Sequence, residues 1–166
     1  CCGTFFYLSV IKDAYTLQIL AYVLSESLEV DFVLETVNIL IANHGATLDD
    51  ETLIHSDQGC HYTSKKFREI VKDSHLRQSM SRRGNCWDNA PQESFFGHMK
   101  DHIMNKIATA ESFEEAKAII DDYMDFYNND NGIWELAKLT PNEYYEYCIT
   151  GIYPLLKYNP DETDPS

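Results

Sequence analysis

The segments His55-Ser56-Asp57-Gln58-Gly59 and Glu93-Ser94-Phe95-Phe96-Gly97-His98-Met99-Lys100 are the parts of the sequence that decide the fold. They carry two carboxylates, Asp57 and Glu93, with 35 residues between them. Residues 52–55 form a short apolar run, which predicts a buried strand followed by a polar turn. Asp57 is therefore predicted just past the carboxyl end of a strand, where α/β sheets place their ligand chemistry.

The second carboxylate is predicted near the start of a helix. Residues 89–106 have helical periodicity, and their apolar face consists of Phe96, Met99, Ile103 and Ile107. Pro91 fits the first turn of such a helix, and Glu93 lies near its N-terminus, off the apolar face. Magnesium prefers one or two carboxylates together with phosphates and water. Asp57 and Glu93 are therefore a candidate pair of metal ligands.

Several motifs in a fixed order carry a family resemblance over nearly the whole chain. They are His55-Ser56-Asp57-Gln58-Gly59 with Tyr62 and Ser64, Gln78-Ser79-Met80-Ser81-Arg82-Arg83-Gly84-Asn85 with Asp88-Asn89-Ala90, Glu93-Ser94-Phe95-Phe96 with Lys100, Tyr127-Asn128-Asn129, and Leu139-Thr140-Pro141. With these motifs the chain resembles the catalytic core of bacterial insertion-sequence transposases of the retroviral-integrase type. This is the DDE group, which has a ribonuclease-H-like fold.

The resemblance implies an α/β fold, a ribonuclease-H-like mixed sheet flanked by helices. It implies metal-dependent phosphoryl transfer on DNA, with donor strand cleavage and strand transfer. Asp57 and Glu93 would be the second and third members of a triad that binds Mg²⁺ or Mn²⁺. His55, Gln58 and Gly59 would support the site.

The first aspartate of the family triad has no counterpart here. In the family it lies in a strand well before the segment that resembles Phe6-Tyr7-Leu8-Ser9, and residues 1–5 contain no carboxylate. We therefore expect the first strand, in the middle of the family sheet, to be largely or wholly missing. Asp13 is a poor substitute, because a hairpin would place it roughly 13 Å from the lost ligand at about 3.3 Å per residue. The resemblance thus implies an N-terminally truncated core that is inactive alone.

Three functions remain open on the sequence. The first is a transposition core, an enzyme by descent. The second is a catalytically inactive remnant that binds DNA or transposase subunits. The third is a folded domain with a function unrelated to nucleic acid, with which the net charge of −14 is consistent.

The basic residues are concentrated near the two carboxylates. Residues 65–106 contain nine basic and five acidic residues, a net charge of +4, which leaves −18 for the rest of the chain. Such a strip could meet a phosphate backbone, although it is also typical of a solvated helix face. The DNA-contact candidates are Lys65, Lys66, Arg82, Arg83, Asn89 and Lys100.

The length of 166 residues predicts one core domain over residues 1–158 and a disordered acidic tail over 159–166. No apolar run is long enough to span a membrane, and the chain opens with no leader pattern. The odd number of cysteines, five, favours reduced thiols and a cytoplasmic location. The expected partners are insertion-sequence ends, target DNA, other transposase subunits and a second copy of the chain.

The remaining elements follow from periodicity and caps. A hairpin is predicted over residues 5–11 and 17–24, and an edge strand over 76–80. Helices are predicted over 28–43, 65–74 and 113–128 and directly after Thr140, with caps at Ser27, Ser64, Ser112 and Thr140. Tyr144, Tyr145, Tyr147 and Tyr153 would either stack on bases or, as helical packing favours, on the domain itself.

Overall fold

The computed structural model describes residues 5–82 and 90–157. In these two stretches four short strands and three α-helices come first, and three further α-helices follow the last strand. In chain order the elements are β1 (Tyr7–Lys12), β2 (Ile19–Ser25), α1 (Val30–His44), β3 (Leu53–Ser56), α2 (Cys60–Thr63), α3 (Lys65–Asp73), β4 (Arg77–Met80), α4 (Ala90–Ala108), α5 (Phe113–Asn129) and α6 (Pro141–Thr150).

The strands form two separate pairs. β1 and β2 are antiparallel, with Tyr7 opposite Ser25, whereas β3 and β4 are parallel, with Leu53 opposite Arg77. Among the described residues no strand pairing joins β1 to β3. The predicted mixed sheet is therefore split into an antiparallel half and a parallel half, because no described strand lies between them.

The turn between β1 and β2 uses the carboxylate of Asp13, which the sequence offered as a poor substitute for the first aspartate of the triad. Asp13 Oδ1 accepts hydrogen bonds from the N–H groups of Tyr15 and Thr16, at 2.9 and 2.6 Å, and from the Thr16 hydroxyl, at 2.9 Å. Aspartate commonly closes a turn in this way. Asp13 is thus occupied by its own hairpin.

The apolar core has two clusters, one on each side of the β1–β2 pair. The first lies between this pair, α4 and α5, and contains Ile19, Phe95, Met99, Ile103, Ile120, Tyr123, Met124 and Tyr127. The second lies between α1, α3 and β4, and contains Val33, Val37, Phe67, Val71 and Leu76. Because side chains alternate along a strand, Val10 of β1 packs on the first cluster and Ile11 on the second.

The buried face of α4 is turned slightly from its predicted position. Phe95 is only 3% exposed, and its ring meets the Tyr127 ring edge-on at 5.0 Å. Phe96 is half-buried at the margin of the cluster. Met99 and Ile103 are buried as predicted. Sequence spacing allows either phenylalanine, and the position of α5 selects Phe95.

Three of the four predicted caps are confirmed. The hydroxyls of Ser64, Ser112 and Thr140 accept the N–H groups of Phe67, Glu115 and Glu143. At α6 the box is complete, since the Glu143 carboxylate also accepts the Thr140 N–H at 2.9 Å.

The predicted cap at Ser27 is wrong. The helix begins later, at Val30, and its N-cap is Glu29, which makes no side-chain cap bond. Ser27 belongs instead to the bend after β2, where its N–H donates to Ser25 Oγ at 3.0 Å. The Ser25 hydroxyl in turn donates to the Ser27 carbonyl, so this local turn competes with a cap.

The Tyr127-Asn128-Asn129 motif joins β2, α5 and α6. The Asn128 side chain accepts the Ile19 N–H at 2.9 Å and donates to the Ile19 carbonyl at 3.0 Å, so it imitates a neighbouring strand at the start of β2. The Asn142 amide donates to Asn129 Oδ1 at 2.7 Å, and Gln18 donates to Asn142 Oδ1 at 2.8 Å. For this motif the structure gives an architectural role.

We expect Ala137→Gly to stabilise the domain. Ala137 has φ 55° and ψ 35°, a left-handed conformation that costs a residue with a Cβ roughly 1–2 kcal/mol. Glycine removes that cost but loses about 0.4–1 kcal/mol through the entropy of the unfolded chain. The expected net gain is therefore about 0.5–1 kcal/mol in urea unfolding. The matched control, Ala118→Gly in the exposed middle of α5, should instead lose about 1 kcal/mol. Equal losses in both variants would contradict this account.

We expect the isolated chain to self-associate or to melt at low temperature. Each of β1 and β3 has an edge with no described strand against it, and such edges pair with other chains. Leu53, exposed on β3, should favour association, so Leu53→Lys should reduce it. Sedimentation velocity over a concentration series measures the effect. A monodisperse, high-melting monomer would count against the prediction.

Candidate active site

Asp57 follows β3 directly, and its own loop fixes its carboxylate. Oδ1 accepts the Gly59 N–H at 2.8 Å, which closes a turn two residues long. The Ser56 hydroxyl donates to the Asp57 carbonyl at 3.0 Å. The side chain remains exposed, so a carboxylate held by backbone faces solvent at the end of a strand.

Gly59 leaves space for the Asp57 carboxylate in the position that the structure shows. A Cβ there would lie 2.8 Å from Asp57 Oδ1 and 3.5 Å from the Tyr62 ring. The first distance is closer than a methyl carbon approaches an oxygen, so any larger residue would displace the Asp57 carboxylate. The supporting role of Gly59 stays a prediction, with which this spacing is consistent.

Two glutamines attach the Asp57 loop to β4 and its following residue. The Gln58 amide donates to the Ser81 carbonyl at 3.1 Å. The Gln78 amide, on β4, donates to the Tyr62 carbonyl at 2.8 Å. These hydrogen bonds link the loop and α2 to β4 and the residue after it, and the supporting role of Gln58 stays a prediction.

His55 lies on β3 opposite Ser79 of β4. Its Nδ1 is 3.1 Å from Ser79 Oγ, a cross-strand hydrogen bond whose direction depends on the imidazole tautomer. The structure gives His55 this scaffold contact.

Tyr62 lies next to Asp57. It belongs to the same sequence motif but was not among the predicted site residues. Its half-buried ring meets the Phe67 ring edge-on at 5.4 Å. Burial raises the pKa of the Tyr62 hydroxyl, and the negative charge of Asp57 raises it further. The spacing of Asp57 and Tyr62 within one motif was the only signal in the sequence.

Glu93 is exposed in the first turn of α4. The residues around it contact β1: Lys12 Nζ donates to the Pro91 carbonyl at 2.9 Å, and the Gln92 amide reaches the Val10 carbonyl at 3.5 Å. Phe95, two residues further on, is buried. The position of Glu93 therefore depends on the β1–β2 pair, whereas that of Asp57 depends on the β3–β4 pair.

The two carboxylates fit a divalent cation in chemistry but not in number. Both are exposed oxygen donors, the type that Mg²⁺ and Mn²⁺ prefer. Within residues 5–82 and 90–157, however, no group of three or more His, Cys, Asp and Glu side chains could hold a metal ion. With two carboxylates, the remaining positions around Mg²⁺ would be filled by phosphate or water oxygens or by a ligand from outside these residues.

The lysines predicted to contact DNA are on the surface and partly paired. Lys65 Nζ lies 3.6 Å from Glu69 Oε1, and Lys66 Nζ lies 3.5 Å from Asp31 Oδ1. Both ion pairs are exposed. Lys100 and Arg82 are exposed as well, whereas Arg83 and Asn89 lie outside the described residues. Exposed ion pairs contribute little to stability, so these lysines can exchange partners at small cost.

The comparisons with known proteins decide the family. Profiles described as "Integrase core domain" match residues 1–86 and 93–147, which together contain Asp57 and Glu93. The chain belongs to the integrase core domain family. In the described part of this integrase core domain no helix is both long and apolar enough to cross a bilayer.

Curated relatives come from bacterial insertion sequences. The chain is 33% identical over 144 residues to the transposase InsK of insertion sequence element IS150 from Escherichia coli (strain K12), covering 86% of this chain and 49% of the relative. It is 34% identical over 139 residues to a transposase-like protein of Haemophilus influenzae, covering 83% and 62%. The integrase core domain thus spans about half to three-fifths of the length of these relatives. The resemblance to insertion-sequence transposases of the DDE type is confirmed.

Solved structures confirm the fold class. The catalytic core domain of BIV integrase has a TM-score of 0.64 at 16% identity, over 87% of this chain and 88% of that one. The HTLV-2 integrase catalytic core domain in complex with magnesium has a TM-score of 0.60 at 16% sequence identity, and the match covers 84% of each chain. A chain of the simian T-cell lymphotropic virus intasome has a TM-score of 0.68 at 14% sequence identity, and the match covers 84% of this chain and 48% of that one. The fold is therefore the ribonuclease-H-like α/β fold of integrase cores.

We expect Asp57→Asn to lower the pKa of Tyr62. Removing the carboxylate charge favours the phenolate, while burial keeps the pKa above the ordinary tyrosine value. NMR titration of the tyrosine ring carbons measures it. The control Asp49→Asn, at an exposed residue before β3, should leave the Tyr62 titration unchanged. An unchanged pKa in Asp57→Asn would place the two groups further apart.

Proposed function

We propose that this integrase core domain is the catalytic-core part of an insertion-sequence transposase. In the whole protein it takes part in metal-dependent phosphoryl transfer on DNA, in which the donor strand is cleaved and joined to target DNA. The observation that carries the proposal is the Asp57 turn. Its carboxylate is exposed at the end of β3, held by the Gly59 N–H at 2.8 Å, and any larger residue at position 59 would displace it.

Asp57 and Glu93 are proposed to hold Mg²⁺ or Mn²⁺ together with a ligand from outside the described residues. When bound, such ions activate the attacking oxygen and stabilise the leaving oxygen. The contribution of this chain is to present one carboxylate directly after β3 and another from the first turn of α4. The magnesium complex of the HTLV-2 core, which shares the fold, supports this choice of ion.

The DNA is proposed to lie along the basic strip. Lys65, Lys66 and Lys100 are exposed on α3 and α4, and Arg82 follows β4. Arg83 and Asn89 remain sequence-based candidates for the same surface. Electrostatic contacts of this kind weaken steeply with salt, so we expect salt-sensitive binding.

The assembly is proposed to contain more than one transposase subunit. The structures that share the fold include an intasome and a trimeric form. The edges of β1 and β3 that no described strand covers offer a place for another chain. A cytoplasmic location follows from action on bacterial DNA.

A second candidate is a catalytically inactive core that binds DNA or transposase subunits. The absence of any three-ligand group from the described part of the chain favours it. The two candidates share the DNA surface and differ in whether Asp57 and Glu93 bind metal.

Thermal melting with Mn²⁺ and Mg²⁺ tests metal binding. A ligand that binds only the native state raises the melting temperature by mass action. At about 100 times the dissociation constant the rise should be roughly 5–10 °C for a domain of this size. Asp57→Asn and Glu93→Gln should each abolish the rise. Asp122→Asn, at an exposed carboxylate of α5, should keep it.

The contrary result is equally specific. A cooperative melt with no metal-dependent rise would reject the metal role of Asp57 and Glu93 in this chain and favour the inactive core. A rise that survives both substitutions would place the metal elsewhere.

A further inference from the structure

Lys12 is an unusual lysine for an acidic protein, because it is half-buried and forms no ion pair with a carboxylate of the described residues. It ends β1. Burial lowers the pKa of its ammonium group. A buried cation is costly unless it is hydrogen-bonded, so its contacts should be informative.

The ammonium group of Lys12 contacts the N-terminal part of α4. Nζ donates to the Pro91 carbonyl at 2.9 Å and lies 5.6 Å from the centre of the Phe95 ring. Leu8 and Val10, on the same face of β1, pack on the cluster that contains Phe95. The strand therefore directs its last side chain to the start of this helix.

Attraction to the helix dipole does not explain this arrangement. The N-terminal end of a helix carries a positive partial charge, which repels an ammonium group. The two Lys12 contacts instead lie on either side of Glu93 in the sequence. Pro91 is two positions before Glu93, and Phe95 is two positions after it. The Gln92 amide, reaching the Val10 carbonyl at 3.5 Å, adds a third link to the same strand.

We propose that Lys12 is a positioning residue, which fixes the first turn of α4 against β1 and thereby holds the Glu93 carboxylate in place. The proposal rests on the proposed function for the role of Glu93, but the fixing of the turn can be measured separately. Lys12 itself touches no reacting group. It acts through the Pro91 carbonyl and the Phe95 ring.

Hydrogen exchange of individual amides tests whether the turn is fixed. In an α-helix the Phe95 N–H donates to the Pro91 carbonyl, so its protection reports the order of this turn. Lys12→Met keeps the aliphatic stem but removes the charge and the donors. We expect the Phe95 amide to exchange about fivefold faster, the loss expected for one hydrogen bond. The amides of Ile120 and Met124 in α5 should be unchanged.

Two further variants separate positioning from general stability. Lys12→Arg restores a cation with donors at this place and should recover most of the protection. Lys117→Met removes one positive charge from the exposed side of α5 and should leave the α4 turn unaffected. Unchanged exchange at Phe95 in Lys12→Met would overturn the proposal. Equal acceleration in α4 and α5 would also overturn it, since Lys12 would then only stabilise the fold.

Mn²⁺ affinity, read from the paramagnetic resonance of free Mn²⁺, links the turn to the site. If Glu93 is a ligand, Lys12→Met should weaken Mn²⁺ binding about fivefold. In the Glu93→Gln variant, the further change Lys12→Met should cause no additional loss of Mn²⁺ affinity. Faster Phe95 exchange together with unchanged Mn²⁺ affinity would reject the link between Lys12 and Glu93. If the unmodified chain binds no Mn²⁺, the metal role fails, while local acceleration at Phe95 still supports the fixing of the turn.

Discussion

Helix α1 holds the two halves of the sheet together. No strand pairing joins β1 to β3 in the described residues, so their relative position depends on side-chain packing. Val33 and Val37 of α1 lie in one cluster with Phe67 of α3, and Ile11 of β1 and Ile54 of β3 both pack against it. Side-chain packing fixes the relative position of two strands less rigidly than backbone hydrogen bonds do. The distance between the Asp57 and Glu93 carboxylates therefore depends on this apolar contact.

The sequence was sufficient where one local pattern determines one local structure. A hydroxyl before a helix predicts a cap when no nearby group competes for it, as at Ser64 and Thr140. Ser27 has the same pattern but lies two residues after Ser25, whose hydroxyl forms a closed turn with it. The error at α1 thus comes from a competition between two local hydrogen bonds that sequence spacing does not rank.

Other features depend on contacts between distant parts of the chain and could not be predicted. The choice of Phe95 over Phe96 for the core is made by Tyr127, which lies on α5. The pairing of Asn128 with the backbone of Ile19 joins residues 109 positions apart. The contact of Lys12 with Pro91 likewise spans 79 positions. Periodicity gives the face of a helix but not the partner that this face meets.

The candidate site shows the same division. The motif around Asp57 contains the partner of its own carboxylate, because the Gly59 N–H binds it two positions away. Gln58 of the same motif contacts Ser81, 23 positions away. Glu93, by contrast, is surrounded by contacts from β1 that no motif contains. A short motif therefore predicts the position of Asp57, which its own loop holds, better than that of Glu93, which depends on a strand far away in sequence.

The charge of the domain limits how it can bind DNA. Lys65 and Lys66 already face Glu69 and Asp31 in exposed pairs. A phosphate contact then replaces one weak, screened pair by another, so each exchange gains little free energy. Since the chain as a whole carries −14, distant carboxylates also repel the DNA at low salt. Orientation on DNA must therefore come from several such exchanges acting together, on a surface whose shape the α3 and α4 helices keep fixed.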